Sequence, residues 1–332
     1  MKKMLLAAAA VAALSVAPAI AQCDDGETVI KFSHVVAPKG NPKGEAAEAL
    51  AARVNAEMNG KACMEVYPNS QLFDDNKVME AMLLGDVQLA APSLSKMEDY
   101  TLKFRLFDLP FLFDNIEAVD RFQNSDIGQN LLKSAEDKGV LGLAYWHNGM
   151  KQMSANVPVQ MPEDLKGKKI RIQQSDVLQA QFETLGAVPQ KLAFKEVYGA
   201  LQTGVVDGQE NTWSNIYTQK FFEVQDGITE TDHGVLDYIL VTSSEFWGDL
   251  PDDVRGQLAT IIKEVTATAN AKSTEINGEK KKAIMDAGTT VRTLTPEQRA
   301  AWKEAMKPVW AKFAGEIGQD LIDAANASNV AK

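Results

Sequence analysis

The sequence predicts an α/β fold: two α/β domains with discontinuous strands that form a ligand cleft, and one long helix that spans both domains. Three observations indicate this fold. Strand-like and helix-like segments alternate along the chain, which is typical of sheets covered by helices on both faces. About 310 residues follow the leader described below, more than one hydrophobic core usually serves. The helical pattern over 251–288 is too long for one small domain.

In the first part of the chain, three predicted strands alternate with two predicted helices. The strands are expected at 28–36, 62–68 and 87–94. Apolar residues at helical spacing predict a helix at 45–58. A second helix at 74–86 is expected to begin at an N-cap formed by Asp74 or Asp75 and to end at Gly85. This order predicts a mostly parallel sheet.

The pattern then restarts, which predicts a second domain. Further strands are expected at 139–149, 151–159, 168–174 and 238–247, and helices at 175–186 and 194–204, followed by a brief strand, a turn and a helix over 205–225. The predicted domain I comprises 22–148 and 237–276, and domain II comprises 149–236 and 277–332. Ligands of such sheets usually sit at the carboxyl ends of the strands, where a cleft is expected.

The N-terminal residues predict a signal peptide over 1–21. Lys2 and Lys3 precede an apolar run, and Ala19 and Ala21 form the small-x-small pattern of a cleavage site after Ala21. A lipid anchor on Cys23 is disfavoured because Gln22 occupies a position where such a site needs a small residue. No later segment has the ~20 continuous apolar residues of a membrane helix. The expected location is the periplasm.

The two cysteines suit that compartment, since disulfides persist in the periplasm. Cys23 precedes the first predicted strand and Cys63 opens the second, and these strands would be neighbours in one sheet. This arrangement favours a Cys23–Cys63 disulfide. The alternative is a pair of buried or reactive thiols.

Charge and motifs exclude several classes of function. The formal net charge of −11 argues against nucleic acids and anionic membranes as partners. The sequence has no phosphate loop, nucleophile elbow, dinucleotide fingerprint or zinc-helix motif, and its three histidines lack a second ligand at metal spacing. We therefore predict no cofactor, no metal and no enzymatic activity. The enzyme alternative is a lyase or isomerase of small acids whose centre is assembled from distant residues.

Arg171 is the strongest candidate for a functional residue. In "KKIRIQQSDV" it shares one strand face with Gln173, and a strand covered on both faces buries its guanidinium. A buried guanidinium needs an anionic partner, which its own strand does not offer. Lys43 and Lys151 are by default solvated lysines, Ser93 a turn residue, Asn211 a helix cap, and Phe194 and Tyr238 core residues. Cationic and amide side chains at several strand ends nevertheless favour a small carboxylate ligand.

Several segments resemble the solute-binding proteins of tripartite ATP-independent periplasmic (TRAP) transporters, in the branch that binds four-carbon dicarboxylates. They include "LFDLPFLFDN", "YWHNGMKQMSAN", "GKKIRIQQSDVL" and "EVYGALQTGVVDGQENTWSN". The resemblance implies a hinge-type periplasmic binding protein. It also implies that Arg171 forms a salt bridge with the ligand carboxylate, that Asn211 supports the same carboxylate, and that Phe194 lies against the ligand.

Where the sialic-acid branch has a second arginine, this chain has Lys151, which favours a small dianion such as succinate, malate or fumarate. Lys43, expected opposite Arg171, is the candidate for the far carboxylate. The remaining candidate contacts are Ser93, Lys151, Gln173, Asn215, His233 and Tyr238. The resemblance implies two membrane partners, a small and a large integral subunit, and we expect a monomer. Another small organic acid, such as a 2-oxo acid or a sugar acid, is the alternative ligand.

Overall fold

The structure is a computed structural model that describes residues 23–330, so the predicted signal peptide lies outside the described residues. The strands are β1 Thr28–Ser33, β2 Ala62–Tyr67, β3 Leu89–Ala90, β4 Val140–Met150, β5 Gln152–Ala155, β6 Lys169–Ile172, β7 Val188–Lys191, β8 Gly208–Asn211, β9 Gly227–Glu230, β10 Val235–Ser243 and β11 Thr290–Thr293. The α-helices are α1 Pro42–Glu57, α2 Val78–Leu83, α3 Ile116–Gln123, α4 Asp126–Leu131, α5 Asp176–Thr184, α6 Val197–Gln202, α7 Trp213–Thr218, α8 Ser244–Asp249, α9 Asp252–Asp286, α10 Pro296–Met306, α11 Pro308–Ile317 and α12 Gln319–Ala327. Among residues 23–330, no helix combines the length and apolar character needed to cross a membrane.

Five strands form the first sheet, in the order β2-β1-β3-β10-β4. Strand β1 runs parallel to β2 and β3, whereas β10 runs antiparallel to β3 and β4. Buried Ile30 and Phe32 of β1 face the core, as period-two alternation requires. The predicted disulfide is confirmed: Cys23 and Cys63 are bonded, with their Cα atoms 5.5 Å apart. We call the part of the chain built on this sheet the first lobe.

Six strands form the second sheet, in the order β11-β9-β5-β8-β6-β7, and we call the part built on it the second lobe. The chain passes from β4 to β5 through Lys151 and returns from β9 to β10 through residues 231–234. Strand β5 runs antiparallel to both β8 and β9. The expectation of a mostly parallel sheet is confirmed: β10 runs against the other four strands of the first sheet, and β5 runs against the other five strands of the second. The strands that connect the lobes enter each sheet against the direction of their neighbours.

Helix α9 confirms the predicted long helix that spans both lobes. Its 35 residues begin on the first lobe, where Thr266 accepts a hydrogen bond from the Trp146 indole of β4 at 2.9 Å. They end on the second lobe, where Lys281 pairs with Glu230 of β9. Buried residues such as Leu258 and Ile284 lie on both halves of the helix. This helix therefore ties the two sheets together.

Several predicted elements differ from the structure. Helix α2 begins after Lys77, and neither Asp74 nor Asp75 caps it, because the Asp74 main-chain carbonyl closes the preceding turn. Gly85 follows its end as predicted. Strand β3 keeps only two residues. Beyond β10 the chain turns into α8, since Ser243 accepts a hydrogen bond from the amide of Phe246 and caps that helix.

The two C-terminal helices α11 and α12 lie apart from the second sheet. They pack on the 3₁₀ helix Leu102–Asp108, and α12 also contacts α3, while α11 touches α5. Phe313 and Ile322 share a core cluster with β10 residues of the first lobe. The predicted domain bounds stay a prediction, and these contacts argue for assigning residues 308–327 to the first lobe instead of domain II.

Candidate ligand-binding site

A buried cavity of about 20 Å³ lies between the lobes, at the carboxyl ends of β1, β6 and β8. Eight of the ten predicted site residues line it. They are Lys43, Ser93, Arg171, Gln173, Phe194, Asn211, Asn215 and Tyr238. The structure therefore brings together residues that are distant in sequence: Lys43 and Tyr238, for example, are 195 positions apart.

Arg171 is buried in β6, and its Nε and Nη2 atoms donate to the main-chain carbonyl of Leu192 at 3.1 and 2.8 Å. These bonds hold the guanidinium in place but do not neutralise it. Burial lowers the pKa of Arg171, while the negative charge of Asp75 raises it. Because an arginine stays protonated in proteins, the second lobe presents a fixed positive charge to the cavity.

Asn211 ends β8, the strand beside β6. Arg171 is paired in register with Gln209, so Asn211 lies two residues further along the neighbouring strand, on the same face as Arg171. Its Oδ1 accepts hydrogen bonds from the amide of Thr212 at 3.2 Å and from Nδ2 of Asn215 at 2.7 Å. Its own Nδ2 is buried and finds no hydrogen-bond partner within residues 23–330. An amide donor therefore stands beside the guanidinium.

Lys43 supplies the corresponding cation of the first lobe. It lies in the first turn of α1, is 1 % exposed, and donates from Nζ to the carbonyl of Ala91 at 3.0 Å. The Nζ atom also lies 3.5 Å from the ring centroid of Tyr238, a cation–π contact. Burial lowers the pKa of Lys43 to about 7, although Asp75 acts in the opposite direction. Lys43 and Arg171 thus face one cavity from opposite lobes.

Asp75 is a cavity residue that the sequence interpretation assigned to helix capping. Its Oδ1 accepts a hydrogen bond from the main-chain amide of Phe194 at 3.0 Å, a contact between the lobes. Its Oδ2 lies 3.5 Å from Nζ of Lys96. One usable signal was present: of two consecutive aspartates before a helix, only one can occupy the N-cap position.

His34 is a second residue that sequence reasoning missed. It directly follows β1, and its ring is 2 % exposed and lines the cavity. Neither ring nitrogen forms a hydrogen bond in the part of the chain that the structure describes. Burial and then the charge of Lys43 lower the pKa of His34 to about 3, so the imidazole is neutral at pH 7. The sequence offered no signal for this residue, because the predicted strand at 28–36 extended past His34, whereas β1 ends at Ser33.

Lys151 and His233 were predicted as ligand contacts, and the structure places both outside the cavity lining. Glu210 binds both: its Oε1 lies 2.8 Å from Nζ of Lys151, and its Oε2 lies 2.7 Å from Nε2 of His233. Burial raises the pKa of Glu210, but Lys151 and His233 outweigh burial and lower it to about 2. Glu210 precedes Asn211 in β8, so its side chain points to the other face of the sheet. Both side chains are thus already paired with a residue that is distant in sequence, and their contact with a ligand stays a prediction.

Direct contacts join the lobes around the cavity. Asn41 of the first lobe donates from Nδ2 to Oδ1 of Asn215 in the second lobe at 2.6 Å. Lys195 pairs with Asp74 at 2.9 Å, beside the contact between Phe194 and Asp75. The cavity is therefore enclosed by both lobes.

Two α/β lobes with a buried cavity between them, cations on both sides and an amide donor without a partner within residues 23–330 define a binding protein for a small anionic solute. Residues 32–316 match the family model described as bacterial extracellular solute-binding protein, family 7. The chain belongs to this family, and its prediction as a TRAP-type solute-binding protein is confirmed.

Similar proteins cover nearly the whole chain. A C4-dicarboxylate-binding periplasmic protein from Vibrio cholerae is 60% identical over 328 residues, which are 99% of each chain. A protein of the same description from Rhodobacter capsulatus is 48% identical over 95% of this chain and 94% of its own.

Two solved structures are similar in fold and in sequence. The crystal structure of a TRAP periplasmic solute-binding protein from Shewanella oneidensis with bound succinate has a TM-score of 0.90 and 50% identity, and it covers 92% of this chain and 100% of that chain. A TRAP periplasmic solute-binding protein from Pseudomonas aeruginosa PAO1 with bound L-malate has a TM-score of 0.84 and 46% identity, with coverage of 86% and 99%. The two-lobed cleft fold predicted from the sequence is thereby confirmed.

Proposed function

We propose that this protein captures a four-carbon dicarboxylate, such as succinate, malate or fumarate, in the cavity between its lobes. The observation that carries the proposal is the placement of hydrogen-bond donors on both sides of one cavity: the Arg171 guanidinium and the Asn211 amide in the second lobe, and the Lys43 amine in the first. The names of the Vibrio and Rhodobacter relatives and the succinate and L-malate in the similar structures support this ligand class.

In this proposal the two carboxylates of the ligand have different partners. One carboxylate binds the guanidinium of Arg171 and Nδ2 of Asn211, and Phe194, whose ring centroid lies 6.0 Å from Cζ of Arg171, packs against the ligand. The other carboxylate binds Lys43, with Ser93, Gln173 and Tyr238 as further contacts. Asn215 acts through Asn211, to which it already donates a hydrogen bond.

Such a ligand favours closure of the lobes because only the closed arrangement offers it both cations. A ligand shifts a conformational equilibrium by the difference between its affinities for the two states. Exclusion of water from the cavity strengthens both ion pairs relative to an open cleft. We propose that the closed receptor then delivers the acid to a small and a large integral membrane subunit.

The remaining parts of the proposal concern the form in which the protein works. It is made with a signal peptide cleaved after Ala21, acts in the periplasm as a monomer, and leaves its ligand chemically unchanged. Prolonged incubation with malate or fumarate, followed by NMR, tests the last point against a lyase or isomerase activity: new resonances would identify an enzyme. Sugar acids are the alternative ligands, since a structure 27% identical to this chain contains galactonate.

Isothermal titration calorimetry with succinate, L-malate, D-malate and fumarate tests the proposed function. We expect binding by the wild type and a loss of at least a hundredfold for Arg171→Ala, which removes a charge-assisted pair. Arg292→Ala is the matched control, because this arginine lies in the same lobe and pairs with Asp226 away from the cavity. Equal affinities of wild type and Arg171→Ala would refute the proposal, as would tighter binding of galactonate than of every dicarboxylate.

A further inference from the structure

We propose that Asn41 is a positioning residue that sets the orientation of the Asn211 amide from the opposite lobe, through Asn215. This inference rests on the proposed function, in which Nδ2 of Asn211 donates to the ligand carboxylate. All three side chains are buried, with exposed fractions of 0 to 1 %. An asparagine amide has nearly the same shape in its two flipped orientations, so only its hydrogen bonds decide whether NH₂ or oxygen faces a ligand.

The main chain fixes the first amide. Asn41 is the N-cap of α1, and its Oδ1 accepts hydrogen bonds from the backbone amides of Lys43 at 3.1 Å and Gly44 at 3.5 Å. Because backbone amides can only donate, Oδ1 must face them and Nδ2 must face the other way. There Nδ2 donates to Oδ1 of Asn215 at 2.6 Å.

The same reasoning determines the next two amides. With Oδ1 of Asn215 occupied by Asn41, its Nδ2 is the atom that faces Oδ1 of Asn211, at 2.7 Å. That Nδ2 also lies 3.2 Å from the hydroxyl of Tyr238. Oδ1 of Asn211 receives a second bond from the amide of Thr212, so Nδ2 is left to face the cavity. It is the atom that stays without a partner among the described residues.

This chain of amides crosses between the lobes at one bond. Asn41 precedes α1, which packs on β2 of the first lobe, whereas Asn215 lies in α7, directly after β8 of the second lobe. Opening of the lobes would break the bond between Asn41 and Asn215. The main-chain amide of Thr212 favours the same orientation of Asn211 within the second lobe, and closure adds the bond from Asn41 through Asn215 that reinforces it, which couples the closed arrangement to tight carboxylate binding.

Two substitutions at Asn41 separate this role from helix capping, because aspartate and serine are both good N-caps. In Asn41→Asp the side chain has only acceptors, so Asn215 must turn its Nδ2 toward residue 41 and its oxygen toward Asn211. The Asn211 amide is then driven to present oxygen to the ligand carboxylate. We expect succinate affinity to fall about tenfold to a hundredfold. Asn41→Ser removes the amide donor to Asn215 and leaves the main-chain amide of Thr212 alone to orient Asn211, and we expect a loss of about threefold to tenfold.

A double-mutant cycle with Asn211→Ala distinguishes positioning from a general effect of the added charge or of lost stability. When Asn211 carries no amide, we expect Asn41→Asp to change succinate affinity by less than about twofold. Exposed Asn326 provides the control variant Asn326→Asp, for which we expect wild-type affinity.

Four results would overturn the inference. Wild-type affinity of both Asn41 variants would show that the amide orientation does not depend on Asn41. If Asn41→Asp lowers succinate affinity as much in the Asn211→Ala background as in the wild type, the loss comes from the added charge or from folding. If the loss of affinity in Asn41→Ser is matched by a fall in the thermal stability of the ligand-free protein, the role of Asn41 is structural. Failure of the wild type to bind succinate would overturn the proposed function itself and the positioning role with it.

Discussion

Lys43 leads to a quantitative prediction about pH. In the ligand-free protein its pKa lies at about 7, because burial disfavours the ammonium form. A carboxylate bound beside Nζ raises this pKa, since it stabilises the charged form. The complex therefore holds a proton at pH values where the free protein has lost it. The affinity for the dicarboxylate therefore has its full value below about pH 7 and falls as the pH rises above that value.

The magnitude follows from proton linkage. Above pH 7, each unit of pH costs up to about 1.4 kcal/mol of binding free energy, which is a tenfold loss of affinity, until the pKa of the complex is reached. Between pH 7 and pH 9 we therefore expect succinate affinity to fall by up to about a hundredfold. Arg171 stays charged throughout this range and contributes no such slope.

Calorimetry at several pH values, in buffers of different ionisation enthalpy, measures both the affinity and the number of protons taken up. We expect uptake to rise toward one proton per ligand above pH 8. Lys43→Arg keeps a charge at every pH and Lys43→Gln never carries one, so both variants should bind with little dependence on pH. A wild-type affinity that is constant from pH 6.5 to pH 9 would refute the placement of the second carboxylate at Lys43.

Two further predictions concern stability. Glu210→Gln leaves Lys151 buried without its closest counter-charge, with Asp108 at 3.8 Å as the residual partner. We expect this substitution to lower the free energy of unfolding by about 3 kcal/mol. Denaturant titration measures the change against the exposed-site control Glu304→Gln, and coinciding unfolding curves of the two variants would contradict the prediction. Removal of the disulfide in Cys23→Ser/Cys63→Ser, which opens a loop with a sequence separation of 40, should cost about 4 kcal/mol. Equal unfolding midpoints of this variant and the oxidised wild type would refute that estimate.

The central elements of the site could be predicted from local sequence. The sequence predicted a buried Arg171 in "KKIRIQQ", and β6 is buried on both faces, with Ile170, Arg171 and Ile172 all buried. That its guanidinium binds an anion stays a prediction. Asn211, Phe194 and Lys43 came from a resemblance and from their places after strands or at a helix start. These positions depend on short-range order, which sequence patterns describe well.

The features that the sequence did not indicate depend on contacts between distant residues. Lys151 and His233 looked available because Glu210, their shared partner, is far away in sequence and becomes adjacent only when β5, β8 and the return to β10 meet. Asn41 has a sufficient local explanation as the N-cap of α1, and local sequence offered Asp75 only a capping role that the structure does not give it. The roles of both residues at the cavity depend on contacts between the lobes. The one antiparallel strand in each sheet, β10 and β5, was missed because local pattern does not record where a chain crosses between two sheets.

The most direct test of the account is a crystal structure of the protein with succinate bound. We expect one carboxylate within hydrogen-bonding distance of the Arg171 guanidinium and of Nδ2 of Asn211, and the other at Nζ of Lys43, with the lobes closed around the ligand. Succinate bound to one lobe alone, or bound away from Arg171, would contradict the central claim that both lobes grip a single dicarboxylate.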